Sequence, residues 1–196
     1  MAGVTAADRG REVRQRLVAA ATELIVERGW SAVSTRVLAE RAAVAPGLVH
    51  YHFSSLRSLL TEAAVAAMRE AAQVVDPLLA RAGTPEDAVD LLVGAFAEYT
   101  GDEPVSLLFT ETYLAATRDE ELRRAVAGVA AEVGDRLAVW LGERGVADPG
   151  PTAAVLIAAI DGLLLHRALN PSLTADAVAP VLRRLCAGPE PRRSGP

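Results

Sequence analysis

The sequence predicts an all-α fold of about nine helices, and three observations carry that prediction. Apolar residues make up 51% of the 196-residue chain but aromatics only 4%, with Ala, Leu and Val dominant, a mix that suits helices better than sheets. Those apolar residues recur at steps of three and four rather than in strict alternation. Gly, Pro and small polar residues gather between the periodic runs, where helices start and stop. Neither an internal repeat nor a strand pattern is visible.

In chain order, the first eight residues are small or polar and are expected to fray. From about Arg9 to Arg28, Leu17, Ala21 and Leu24 fall on one buried face of a first helix, which Gly29 stops and against which Trp30 can fold back. Ser34 suits the N-cap of a short helix from Thr35 to Arg41, with Val37 and Leu38 inward. Ala42 to Ala45 form a turn. Pro46 suits the first position of a third helix ending near His52, because proline there forfeits no intrahelical bond. Ser54 or Ser55 caps a fourth helix expected to run to about Ala80, about 25 residues and about 37 Å long.

Five more helices follow. They are expected from Pro85 to about Thr100, from Pro104 to Thr117, from about Asp119 to Arg144, from Thr152 to Leu169 and from about Thr174 to Ala187. The helix from Thr152 is apolar nearly all round, so it must be buried on several sides. The Pro- and Gly-rich tail, 188–196, is expected to be disordered.

Bulk properties narrow the function. No uninterrupted apolar run reaches the length of about 18 residues expected of a membrane span, and no secretory signal pattern opens the chain, so a soluble cytoplasmic protein with no membrane partner is expected. Cys186 is the single cysteine, which rules out an intramolecular disulfide and a cysteine metal site. Beside Leu182 and Leu185 it reads as a buried or interfacial thiol. No nucleophile elbow, glycine-rich phosphate loop, metal-spaced His cluster or triad is present, so neither an enzyme nor a cofactor is expected. The net charge of −5 hides an asymmetry: up to Arg57 there are eight arginines against five acids, and beyond it twelve against twenty. A basic head on an acidic body is the layout expected if the head alone meets phosphate.

Helices two and three, joined by a short turn within about 20 residues, have the arrangement that lays one helix in a DNA major groove while its neighbour braces it. The residues are more specific than the spacing. Leu17 to Gly29 (LVAAATELIVERG), Val33 to Phe53 (VSTRVLAERAAVAPGLVHYHF) and Ser54 to Leu60 resemble the N-terminal domain of the TetR family of bacterial transcription regulators, over about Arg14 to Leu60. Read physically, Val37, Leu38, Ala39, Val44, Val49 and Phe53 supply the small core between the helices, and Gly47 permits close approach to DNA.

The resemblance implies that Ser34, Thr35 and Arg36 bind backbone phosphates, that Pro46, Gly47, Leu48 and His50 lie against bases, and that Tyr51 anchors a phosphate. His52, beside inward Phe53, either caps the core or joins them. Four departures from the family pattern matter. Ala45 replaces a common Ser cap, Pro46 a polar or basic residue, Leu48 a common Thr, and Leu56 a frequent phosphate-binding Lys, for which Arg57 substitutes from the next position. Leu48 can touch a thymine methyl in place of donating a hydrogen bond.

For the rest of the chain the resemblance is weaker, carried by LFTETYLAATRDEELRRAV and IDGLLLHRAL. It implies a DNA-binding domain over 1–54 and a regulatory, ligand-binding and dimerisation domain over 55–187. A homodimer through 152–169 and 174–187 would read a pseudo-palindromic operator. A pocket for a small hydrophobic or amphipathic effector draws on Met68, Leu92, Phe96, Tyr99, Leu108, Tyr113, Leu137, Trp140 and Asp161. Asp161 needs a partner, either a polar group of the ligand or Arg167 of the partner subunit, and His166 reads as an interface residue. Ligand would tilt helix four and release the DNA, making a repressor. The alternative is a dimeric regulator without a small-molecule ligand, controlled by a protein partner or by abundance.

Overall fold

The structure, a computed structural model, describes residues 5–97, 99 and 101–187. Among them are ten α-helices: α1 Ala6–Arg28, α2 Thr35–Arg41, α3 Pro46–His52, α4 Leu56–Ala72, α5 Val75–Arg81, α6 Pro85–Ala95, α7 Pro104–Ala116, α8 Glu120–Gly142, α9 Pro149–His166 and α10 Ala175–Cys186. A 3-10 turn covers Trp30–Ala32, and no strand occurs among the described residues. The all-α expectation holds.

α1 begins earlier than expected, because Thr5 and Asp8 form a reciprocal capping box that closes its first turn. α2 and α3 match the expected boundaries. Ser34 caps α2, accepting the Val37 N–H, and Pro46 opens α3. Ser55 caps α4, with Ser55 and Ser58 bonding each other's backbone N–H groups.

The long fourth helix is broken. A turn at Gln73 and Val74 separates α4 from α5, and Pro77 is the cause. In a continuous helix its ring would collide with the carbonyl of Gln73, four residues back, and could offer that carbonyl no N–H. Near the start of a new helix neither penalty applies. α9 likewise begins at Pro149 rather than Thr152, since Pro149 and Pro151 both sit in a first turn that needs no N–H donors, and it ends at His166 rather than Leu169. α6 stops at Ala95 rather than near Thr100; the freed carbonyl of Phe96 accepts from the Arg167 guanidinium at 2.9 Å. The tail 188–196 lies outside the described residues.

The chain forms two compact units. The first joins the described residues up to Ala71 with Pro104–Val129, so α7 and the first half of α8 pack with α1 to α4. Its main core holds Leu17, Leu24, Ile25, Leu38, Val49 and Leu59, each fully or almost fully buried, with Leu108 of α7. A second cluster gathers Met68, Ala116, Leu122, Val126 and Val129.

The other unit joins Ala72–Glu103 with the described residues from Ala130 onward. Leu78, Val89, Leu92, Leu137, Leu141, Leu156 and Leu182 form its core, which also encloses Cys186, whose thiol pKa burial pushes up. α9 is apolar enough, by length and a mean hydropathy of 1.3, to cross a membrane, yet only 22% of it is buried within the chain. Val155 and Leu165 on α9, and Val181 and Leu185 on α10, face solvent.

Candidate nucleic-acid interface

The site begins with how α2 and α3 are held. Leu38 and Ala39 of α2 and Val49 of α3 are buried in the main core, with Phe53 closing the end of α3. Val37 and Val44 pack against them half-buried. The turn between the helices places Ala43 at φ 52°, a left-handed conformation that stores strain in any residue with a Cβ. Arg41 ties the end of α2 to α1, donating to Glu27 at 2.8 and 2.5 Å and to Glu23 at 2.9 Å. The Arg41 hydrogen bond holds the Glu27 carboxyl below its ordinary pKa. The tie therefore persists at neutral pH and loosens as the pH falls through the carboxylate range. Arg14 of α1 lies over the Phe53 ring, 4.7 Å from its centre, and pairs with Glu62 of α4 at 2.5 Å.

With the inner faces fixed, the outer face of α3 is set by helical periodicity. Pro46, Gly47, His50 and Tyr51 share one side and all are exposed, while Leu48 lies half-buried on the flank. Tyr51 is 80% exposed, an unusual amount for an aromatic ring. Its ring meets His52 edge-on at 5.0 Å. His52 is half-buried and its Cε1 lies 3.9 Å from where a Cβ on Gly10 would stand, so it faces the start of α1. Ala45 provides no side-chain cap to α3. Nothing lies within 4 Å of a Cβ placed on Gly47.

Along α2, Ser34 and Arg36 are exposed and Thr35 half-buried. Arg36 pairs along its own helix with Glu40 at 3.0 Å. Arg57 was expected to be available to phosphate; here its Nε lies 3.1 Å from Asp119, whose other oxygen accepts the Glu121 and Leu122 N–H groups at the start of α8. Sequence reasoning missed Asp119, Arg41 and Arg14. Only the run of acids opposite Arg41 on α1, Glu23 and Glu27 at helical spacing, hinted at one of these ties.

The pocket candidates fall into different cores. Met68 belongs to the small cluster of the first unit, against which Tyr113 packs, and Leu108 to its main core. Leu92 and Leu137 belong to the core of the other unit, with Phe96 and Trp140 packed on it and Tyr99 5.7 Å from Phe96, ring to ring. Trp140 also borders an open groove of about 550 Å³ between α5 and α8, where Arg144 stacks on its ring at 3.6 Å. Asp161 is half-buried and engaged, while Arg167 is spent on Phe96 of its own chain.

Two short helices with buried inner faces and a bare outer face, on a basic head, define a helix-turn-helix regulator that binds DNA. Residues 17–63 match the family of bacterial regulatory proteins called tetR, and residues 83–188 match the tetracyclin repressor-like C-terminal domain. The chain belongs to the TetR family, whose members are transcription regulators and not enzymes. It is 33% identical over 171 residues to the HTH-type transcriptional regulator BetI of Rhizobium meliloti (strain 1021), covering 80% of this chain and 78% of BetI. The crystal structure of SCO7518 from Streptomyces coelicolor A3(2) is 31% identical, covers 90% of this chain and 99% of that one, and superposes with a TM-score of 0.76. The multidrug binding protein EbrR complexed with malachite green is 29% identical, with 89% and 98% of the two chains covered and a TM-score of 0.64.

One consequence concerns Gly47. Because a Cβ there has nothing within 4 Å among the described residues, Gly47→Val is expected to change the melting temperature by no more than a few degrees. If α3 approaches DNA closely at this point, the same substitution lowers operator affinity about tenfold or more, read by fluorescence anisotropy.

Proposed function

We propose that the chain is a dimeric, cytoplasmic repressor that binds a pseudo-palindromic operator and is released by a small hydrophobic or amphipathic effector. The observation that carries the DNA reading is the outer face of α3, where Pro46, Gly47, His50 and Tyr51 stand exposed on a helix whose other side is fixed in the core. In this reading Ser34, Thr35, Arg36, Tyr51 and Arg57 hold phosphates, and Pro46, Gly47, Leu48 and His50 meet base edges. Arg57 exchanges Asp119 for a phosphate, which leaves Asp119 bonded to two backbone N–H groups. The cytoplasm follows from the operator.

The dimer reading rests on α9 and α10. Their outward Val155, Leu165, Val181 and Leu185 suit a second copy of the same pair of helices, packed as a four-helix bundle. The effector reading is supported by the likeness to EbrR, described as a multidrug binding protein. Residues 1–54 then read DNA and 55–187 regulate. A second reading, regulation without a small-molecule ligand, is favoured by the tight burial of Met68, Leu92, Leu108 and Leu137, each 4% exposed or less. Side chains so enclosed face packed neighbours rather than an open cavity.

Selecting binding sites from a pool of random duplexes tests the DNA reading. The expected product is an inverted repeat with half-sites about one turn apart, about 34 to 36 Å or slightly more. A pool that shows no enrichment overturns it. Adding malachite green to the selected complex separates the two regulatory readings for that class of ligand: release supports an effector site, and saturation without release supports control by other means.

A further inference from the structure

The segment that aims α2 is held from outside the helix-turn-helix. α1 ends at Gly29, whose φ of 80° turns the chain into the 3-10 turn Trp30–Ala32, and Ser34 caps α2 only two residues after that turn. The Trp30 backbone N–H donates to Glu111 Oε2 of α7 at 2.8 Å, across 81 residues of sequence. Both residues lie in the first compact unit. The carboxylate sits so close that a Cβ on Gly29 would stand 3.1 Å from Oε2 and 3.5 Å from Oε1. Gly29 thus serves twice, by its left-handed backbone and by its missing side chain.

The Trp30 indole, half-buried, packs against both clusters of this unit, the main core and the group around Met68, Ala116 and Leu122. One residue is therefore held by its ring between two clusters and by its amide on α7. The position is electrically awkward for a carboxylate, since the C-terminal end of α1 carries the negative end of the helix dipole. What Glu111 offers there is an acceptor for an N–H that the turn leaves unpaired.

We propose that Glu111 is a positioning residue of the DNA interface: by latching the Trp30 amide it fixes Gly29 to Ser34, and with them the direction in which α2 presents Ser34, Thr35 and Arg36. The inference rests on the assignment of those three residues to phosphate.

The test uses the full chain and the duplex selected from the random pool, with a scrambled duplex as the non-specific control. Glu111→Ala and the bulkier Glu111→Leu are expected to weaken selected-site binding about tenfold, the scale of one charge-assisted hydrogen bond, because misaimed phosphate contacts put α3 out of register, while scrambled-duplex binding, which needs no fixed register, stays within about twofold. Glu111→Gln keeps an acceptor and is expected to restore affinity to within about threefold. Hydrogen exchange at the Trp30 amide should quicken in the Ala and Leu variants and stay slow in Gln. Should the Ala and Leu chains fail to fold, Glu111→Asp, which draws the carboxylate back by one methylene, should show the same loss of preference in milder form.

Parent-like selected-site binding in the folded variants overturns the latch. So does a loss shared equally by both duplexes and not relieved by Gln, which marks a merely structural role. If the parent chain itself shows no preference for any duplex, the DNA reading fails, and the Trp30 exchange rates still report whether the latch exists.

Discussion

Replacing both Arg36 and Tyr51 with alanine is expected to weaken operator binding about a hundredfold, about tenfold for each, while the melting temperature stays within a few degrees of the parent. The structure makes the two effects separable. Among the described residues Arg36 pairs with Glu40 on its own helix, a contact worth a few tenths of a kcal/mol. The Tyr51 ring touches His52 at its edge and is otherwise in water, so truncation removes little packing. In the folded protein both side chains stand mainly in solvent. Their contribution is therefore read in the complex, where Arg36→Ala should also reduce the dependence of log affinity on log salt by about one unit. Anisotropy titrations at several salt concentrations, beside thermal melts, check both halves of the expectation.

The second large effect is expected at α9 and α10. Leu165→Glu with Val181→Glu places a carboxylate on each outward apolar face, where the proposed pairing with a second copy would bury it unpaired. Within a single chain both positions are half-exposed, so each carboxylate stays hydrated and folding survives. Sedimentation should then find a folded monomer. Operator affinity should fall at least about a hundredfold, because two tethered heads bind as one bivalent ligand and a lone head loses that effective concentration. A dimer of unchanged mass would move the interface elsewhere.

The DNA-reading helices were legible because their signals are local. Ser34 capping α2 and Pro46 opening α3 each act within one turn, and the boundaries at Thr35, Arg41, Pro46 and His52 match the expected ones. Pro77 is equally local but lies inside a long apolar run, whose helical periodicity continues across the break between α4 and α5. Pro149 and Pro151 act the other way: both fit a first turn, so α9 opens at Pro149, three residues before the expected Thr152. The contacts that hold the interface in place were not legible. Glu111 on Trp30 and Asp119 on Arg57 join positions far apart in sequence, and neither residue type is distinctive on a helix surface rich in acids. The apolar residues put forward for a pocket show the limit of periodicity, which identifies an inward face but does not tell a packed core from a cavity.

The central claim, that α2 and α3 read an operator as a pair of heads, is tested most directly by footprinting the purified protein on DNA around its own gene. The account predicts one protected segment containing an inverted repeat at moderate salt, lost in the Arg36→Ala and Tyr51→Ala double variant. No protection by the parent chain, or the same protection by the double variant, would contradict it.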